Sequence, residues 1–355
     1  MRLLVTTWDG AGNLPPILAL VDGLARRGHE VHVLGHDVQR QAIEAAGGVF
    51  VGFEKAPQWD QGQPGSMGAD PIGAFLAFEV QARDDVLAMV ERLDPAVVLI
   101  DCMLPSALAA TERAGLKTVA LVHALYSFFA EWRGGLFRAP IDESTLALGL
   151  TYEAFDKGAI FPPNLVFVGP ARPATDTPEW KRRRTDAPMV VVGMSTGVQG
   201  REGAQQNLLQ RVCDALAALD VEALVTTGRG IAPESLTVGA NTAVERRVPH
   251  EVVLGQADLL VTHAGHGTVM AGLRFGVPML CLPPGADQPF NAAKVVELRL
   301  GEALDPATSS EEIREAISRL LDDRALKERS RAFAAAVASQ PGIEKAIELV
   351  ESFAA

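Results

Sequence analysis

With 355 residues, 48% hydrophobic and 21% charged, the chain is ordinary globular material long enough for two domains of usual size. Its net charge of -12 argues against nucleic acid and anionic membrane surfaces as partners, although backbone amides could still hold a nucleotide diphosphate locally. No apolar run approaches twenty residues and no charged, apolar, small-residue leader opens the sequence, so the expectation is a soluble cytoplasmic protein.

Both halves repeat one pattern, a short Val/Leu/Ile strand, a turn and an amphipathic helix. The first predicted strand, Arg2 to Thr6, runs into a turn holding Asp9, Gly10, Ala11, Gly12 and Asn13. Gly10-Ala11-Gly12 opens like a dinucleotide fingerprint, but Pro15 and Pro16 stand where a third glycine is needed, so the glycines serve a tight turn. Strands are predicted next at Glu30 to Leu34 and Gly48 to Gly52. The segment Gly52 to Pro71 is too long and polar for a tight connection and reads as a mobile loop. Val97 to Ile100 ends at Asp101, Thr118 to Val122 ends at His123, and Leu165 to Val168 closes the first half. Their continuous apolar character suits a parallel sheet covered on both faces. Trp59, Phe75 and Phe78, with Tyr126, Phe129 and Trp132 after His123, concentrate aromatics in a chain that is 6% aromatic. Either they line a flat apolar pocket or they form a satellite core under the long loop. Cys102, Cys213 and Cys281 lie far apart in apolar contexts and read as reduced core residues without metal spacing.

Gly169 to Pro188 is rich in proline and charge, as a linker is. The second half has predicted strands at Met189 to Met194, Glu222 to Thr226, Thr242 to Arg246, Asp258 to Val261 and Met279 to Leu282. The stretch Val261 to Asn291 is the most informative. An apolar strand leads into His263, Gly265, Gly267 and Thr268 and then into a helical pattern over Thr268 to Arg274. That order aims a positive helix end at one spot, where a phosphate can sit; the glycines permit close approach, and His263 and Thr268 add donors. The next strand ends in PPGADQPFN, which brings Asp287 and Gln288, a carboxylate and an amide suited to sugar hydroxyls, near the same place.

HAGHGT, followed about twenty residues later by DQ and Asn291, resembles the donor-binding signature of the family 1 glycosyltransferases, inverting nucleotide-sugar enzymes of GT-B architecture. Pro15 to Gly35 is similar to their first helix and second strand, and the antibiotic-tailoring enzymes of actinomycetes look nearest. The resemblance implies an α/β fold with two Rossmann-like doubly wound domains facing across a cleft. The expected division is an acceptor domain over 1–170, a linker over 171–188 and a donor domain over 189–341. A last helix over 342–355 is expected to cross back to the first domain. On the donor side the resemblance implicates Ser195, Thr196, Arg247, Val248, His263, Gly265, His266, Gly267, Thr268, Asp287 and Gln288. Arg247 stands where the family often has Trp, and its guanidinium plane can still stack on a base. Ala271 replaces the Glu with which many UDP-using members bind ribose, which favours a dTDP-sugar and leaves UDP open.

Through Pro16 and Gly28-His29, the family's catalytic His aligns with Asn13, and an amide cannot take a proton near neutral pH. Asp101, matching the Asp that holds the family's His, is ranked first as the base, with Asn13 as positioner; Asp9 is the rival and His123 comes third. A phenolic acceptor, needing little base help, is a fourth option. Trp59, Phe75, Phe78, His123, Tyr126, Phe129 and Trp132 are the acceptor-binding candidates, with Gly52 to Pro71 as acceptor loop. No Asp-x-Asp motif occurs, so neither metal nor cofactor is expected. The reading is an inverting, metal-independent glycosyltransferase carrying a sugar, deoxygenated by preference, from dTDP or UDP to a small hydrophobic acceptor; a homodimer is left open. The alternative is a non-catalytic GT-B auxiliary protein, motivated by Asn13, and a nucleotide-sugar epimerase is a weaker third.

Overall fold

The computed structural model describes residues 1–10, 12–61, 63, 65–158, 160–171, 180–194 and 203–354, without the side chains of 130, 131 and 133. The chain divides into two compact units, Met1–Ala174 with Gln340–Ala355, and Thr175–Ser339.

The first unit is built on seven strands: β1 (Arg2–Thr6), β2 (Glu30–Gly35), β3 (Val49–Gly52), β4 (Val97–Asp101), β5 (Thr118–Val122), β6 (Leu146–Gly149) and β7 (Leu165–Phe167). All pair in parallel, in the order β3-β2-β1-β4-β5-β6-β7. The helices are α1 (Leu14–Arg26), α2 (Arg40–Ala45), α3 (Pro71–Leu93), α4 (Pro105–Arg113), α5 (Tyr126–Glu131) and α6 (Arg138–Glu143). β4 and β5 are buried at every position, because their runs of Val, Leu and Ile face an apolar layer on each side of the sheet. Proline at the start of α1, α3 and α4 sets the first helical turn without losing a needed N–H.

The second unit has β8 (Met189–Gly193), β9 (Glu222–Thr226), β10 (Thr242–Glu245), β11 (Leu259–Thr262), β12 (Met279–Cys281) and β13 (Gly301–Ala303), again parallel, in the order β10-β9-β8-β11-β12-β13. Its helices are α7 (Ala204–Ala217), α8 (His266–Phe275), α9 (Gln288–Glu297), α10 (Ser310–Asp322) and α11 (Arg324–Val337). Helix α12 (Ile343–Ala354) follows and belongs to the first unit. There it buries Ala346, Ile347 and Val350, and Arg27 and His29, just past the end of α1, bond Glu344 and Glu351. A Cβ on Gly23 would lie 2.3 Å from Ile347 Cδ1, so the missing side chain in α1 is what admits α12. The described end of the expected linker is docked: Trp180 N donates to Val252 O, and the buried Glu222 carboxylate accepts from the backbone N–H groups of Arg183 and Arg184.

In each sheet the strand order reverses direction once, beside the first strand of the unit. The crevice there, at the carboxyl ends of the strands, is where open parallel sheets bind ligands. In the first unit that point lies between β1 and β4, and in the second between β8 and β11.

Candidate active site

At the switch point of the second unit, β11 ends in Thr262 and the chain turns through His263, Ala264 and Gly265 into α8. Ala264 takes a left-handed φ of 63°, uncommon for a residue with a side chain; its carbonyl then faces α9, where Asn291 Nδ2 donates to it at 2.9 Å. The same Nδ2 reaches Asp287 Oδ2 at 2.8 Å, and Asn291 is only 1% exposed. One buried amide thus clasps the turn after β11 to the turn after β12. The positive end of α8 and the carboxylate of Asp287 are held in one place. Gln288, the first residue of α9, is buried and accepts from Gly285 N–H, which fixes the loop beneath Asp287. Ala286, in that loop, also has a left-handed φ of 56°.

The imidazole of His263 is buried and lies above Gly265, where a Cβ would come within 2.3 Å of Nε2, so only glycine fits beneath the ring. Its Nδ1 is 3.3 Å from Gly193 O, which assigns the proton to Nδ1 and leaves Nε2 with its lone pair in the neutral form. Burial pushes its pKa down to about 4, against a smaller upward pull from the Gly193 carbonyl. Gly193 ends β8, and a Cβ there would lie 3.2 Å from His250 Nε2 and 3.5 Å from Thr268 Cγ2. His250, Thr268 and His263 therefore gather at the end of one strand. His250 was missed in the sequence, where it is a lone His in a loop. The exposed Gly267 has open space where a Cβ would be. His266 begins α8, and Arg247 and Val248 follow β10 on the same carboxyl edge, Arg247 exposed and Val248 half-buried. Ser195 and Thr196 lie outside the described residues. Ala271, 0% exposed inside α8, presents no group to a ribose.

At the switch point of the first unit, the buried Asn13 and Asp101 and the half-buried His123 form one hydrogen-bonded chain. Asn13 Nδ2 donates to Asp101 Oδ2 at 2.7 Å, and Asp101 Oδ1 is 2.7 Å from His123 Nε2. Asn13 Oδ1 accepts from Gly10 N–H, and Met103 N–H donates to Asp101 Oδ1. Burial acts to lower the His123 pKa, but the Asp101 carboxylate, with a further contribution from Cys102, outweighs it and raises the value well above that of ordinary histidine. The ligand atoms of Asp101, Cys102 and His123 lie within 4.8 Å of one another. Cys102 thus has potential metal-binding neighbours, which linear spacing concealed.

Other first-unit expectations meet a different environment. Asp9 is 2% exposed and its carboxylate accepts from Gln61 N–H at 2.7 Å, while its carbonyl accepts from Trp59 Nε1. Asp9 therefore anchors the loop that follows β3. Asp85, also buried, takes the N–H groups of Lys55 and Ala56, so the segment read as mobile is fastened at two points among its described residues. Trp59, Phe75, Phe78, Tyr126 and Phe129 are buried in the core cluster, Phe78 and Phe129 completely. This is the satellite-core alternative: large flat rings pack on one another and on His36 more readily than they stay open to water. Trp132 is half-buried at the margin of that cluster, with Phe128 stacked on it and Trp8 also at the edge.

Two Rossmann-like domains, each on a parallel sheet, make up the GT-B architecture, and this fold is the GT-B fold. Residues 210–353 match the family model described as "Erythromycin biosynthesis protein CIII-like, C-terminal domain". The chain is 25% identical to NDP-glycosyltransferase YjiC of Bacillus licheniformis, covering 97% of this chain and 95% of that protein. It is 24% identical to 4'-demethylrebeccamycin synthase of Lentzea aerocolonigenes, covering 99% of each. Among solved structures, CalG4, the calicheamicin glycosyltransferase, superposes with a TM-score of 0.82 at 22% identity, covering 99% of this chain and 98% of that one. The chain is a glycosyltransferase of the natural-product type, and its carboxyl-terminal part is similar to the erythromycin CIII-like domain. Among its described residues no helix is long and apolar enough to cross a membrane.

Proposed function

We propose that the protein transfers a sugar with inversion from a dTDP- or UDP-sugar to a small hydrophobic acceptor, without a metal ion. The observation that carries this reading is the Asn291 clasp, which joins the helix end suited to a diphosphate with the carboxylate suited to sugar hydroxyls. In the proposed complex His263, Gly265, His266, Gly267 and Thr268 surround the phosphates; Ser195 and Thr196, assigned to the same role, lie outside the described residues. Asp287 and Gln288 take the sugar, and Arg247 and Val248 take the base. The buried Ala271 offers no carboxylate to a ribose 2'-hydroxyl, which favours deoxyribose, hence dTDP. The first unit receives the acceptor, with Trp132, Phe128 and Trp8 as its partly exposed aromatic surface. The positive end of α8 supplies charge stabilisation that a metal supplies elsewhere.

The test is nucleotide release from α-linked UDP-glucose and dTDP-glucose with a panel of phenolic and alcoholic acceptors, with and without EDTA. Acceptor-dependent release that EDTA leaves unchanged, with a β-linked product by NMR, is expected. A retained α-linkage, or activity lost to EDTA and restored by a divalent cation, would contradict the corresponding part.

A further inference from the structure

We propose that His123 is the general base of the transfer, with Asp101 as the positioning carboxylate and Asn13 as the amide that locks Asp101; the inference rests on the transfer reading above. Geometry excludes the other candidates. Asn13 is 3% exposed, and its amide nitrogen is committed to Asp101, Thr7 and the Trp8 carbonyl. Asp101 is 0% exposed, with Oδ1 shared by His123 and Met103 N–H and Oδ2 held by Asn13. Asp9 is engaged by Gln61. Only His123 keeps part of its side chain, 12%, open to solvent, at the carboxyl end of β5 beside the switch point.

The arrangement substitutes one strand for another. The position that the family resemblance gives to a histidine, in the turn after β1, carries an amide that donates to Asp101. The imidazole comes instead from the next strand beyond β4, and the carboxylate bonds both. Nε2–H is directed at Asp101 and the buried Cys102 side chain also hydrogen-bonds the ring; Nδ1 is the ring atom assigned to the acceptor. As the acceptor oxygen attacks the anomeric carbon, its proton passes to Nδ1. The bond from that carbon to the diphosphate oxygen breaks, and its electron pair leaves with the nucleotide. The imidazolium, stabilised by Asp101, then returns the proton to water. The sum is acceptor hydroxyl plus nucleotide sugar giving glycoside, nucleoside diphosphate and a proton. The titratable groups facing His123 are Asp101 and Cys102.

A base matters more the less acidic the hydroxyl. The probes are therefore 7-hydroxycoumarin, a phenol, and 7-hydroxymethylcoumarin, an alcohol, each with UDP-glucose and dTDP-glucose. His123→Gln should lower kcat for the alcohol by about 100- to 10,000-fold and for the phenol much less, with calorimetric binding of UDP and dTDP unchanged. Added imidazole should partly restore His123→Ala. In the wild type kcat/KM should rise with pH as His123 loses its proton, and Asp101→Asn should move that rise to lower pH. Equal losses on both acceptors without imidazole rescue, or no loss at all, would overturn the assignment. Failure of the wild type to release nucleotide with either acceptor would instead remove the transfer reading, and the base with it.

Discussion

His263→Ala is expected to reduce nucleotide release by at least about 100-fold, the usual consequence of deleting one preorganised donor from developing negative charge. In the free protein the ring is neutral at pH 7, with its proton on Nδ1 toward Gly193 O, and burial holds its pKa at about 4. A diphosphate at the end of α8 needs a donor from Nε2, which requires a second proton, and the anion itself would raise the pKa to permit it. Nucleotide binding should therefore take up a proton and strengthen as the pH falls from 7 towards 5.5. The same group acts oppositely on the empty protein. Its folded pKa lies below the unfolded value of about 6.5, so its contribution to stability is present above that pH and is lost as the pH falls towards 4. Steady-state release by the variant and wild type across pH checks the first statement; equal rates would remove His263 from the site.

Ile347→Ala should destabilise the first unit by about 2–5 kcal/mol, the range for deleting most of a buried aliphatic side chain. Ile347 is 0% exposed, and its Cδ1 fills the space where Gly23 has no side chain, so its truncation leaves a void between α1 and α12. Gly23→Val should be comparably damaging, through a collision rather than a cavity. Urea denaturation followed by far-UV circular dichroism measures both. A midpoint unchanged in both variants would mean that α12 does not stabilise the unit to which it is docked. The ion pair of Arg27 with the exposed Glu344 contributes little beside this, since solvent screens it.

The parallel strands were legible wherever a run of Val, Leu or Ile was long enough to be buried on both faces, as in β1, β4, β5, β8 and β9. Two strands were not. Leu-Ala-Leu-Gly in β6 has only four residues, and Gly-Glu-Ala in β13 has three with no apolar run, so neither carries a periodic signal. The strand, turn and helix from Leu259 to Phe275 could be read because they are contiguous in the sequence. What joins that turn to Asp287, the amide of Asn291, depends on where α9 lies. The bond between His123 and Asp101 could not be read for a similar reason, since it follows from β5 lying next to β4. For the aromatic residues after β3 and β5 the sequence left both alternatives open, because composition cannot separate a pocket wall from a core. Their burial, and the anchoring of the long loop by Asp9 and Asp85, are tertiary facts.

A nucleotide diphosphate is expected to dock at the amino end of α8, beside His263. Titration of the protein with dTDP and UDP by calorimetry at pH 6.5, in two buffers of different ionisation enthalpy, tests this directly. One site, binding dTDP at least as tightly as UDP, with proton uptake in the wild type and no binding by Gly265→Val, is the expected result. Absence of affinity for either nucleotide, or binding unaffected by a side chain forced under the His263 ring, would contradict it.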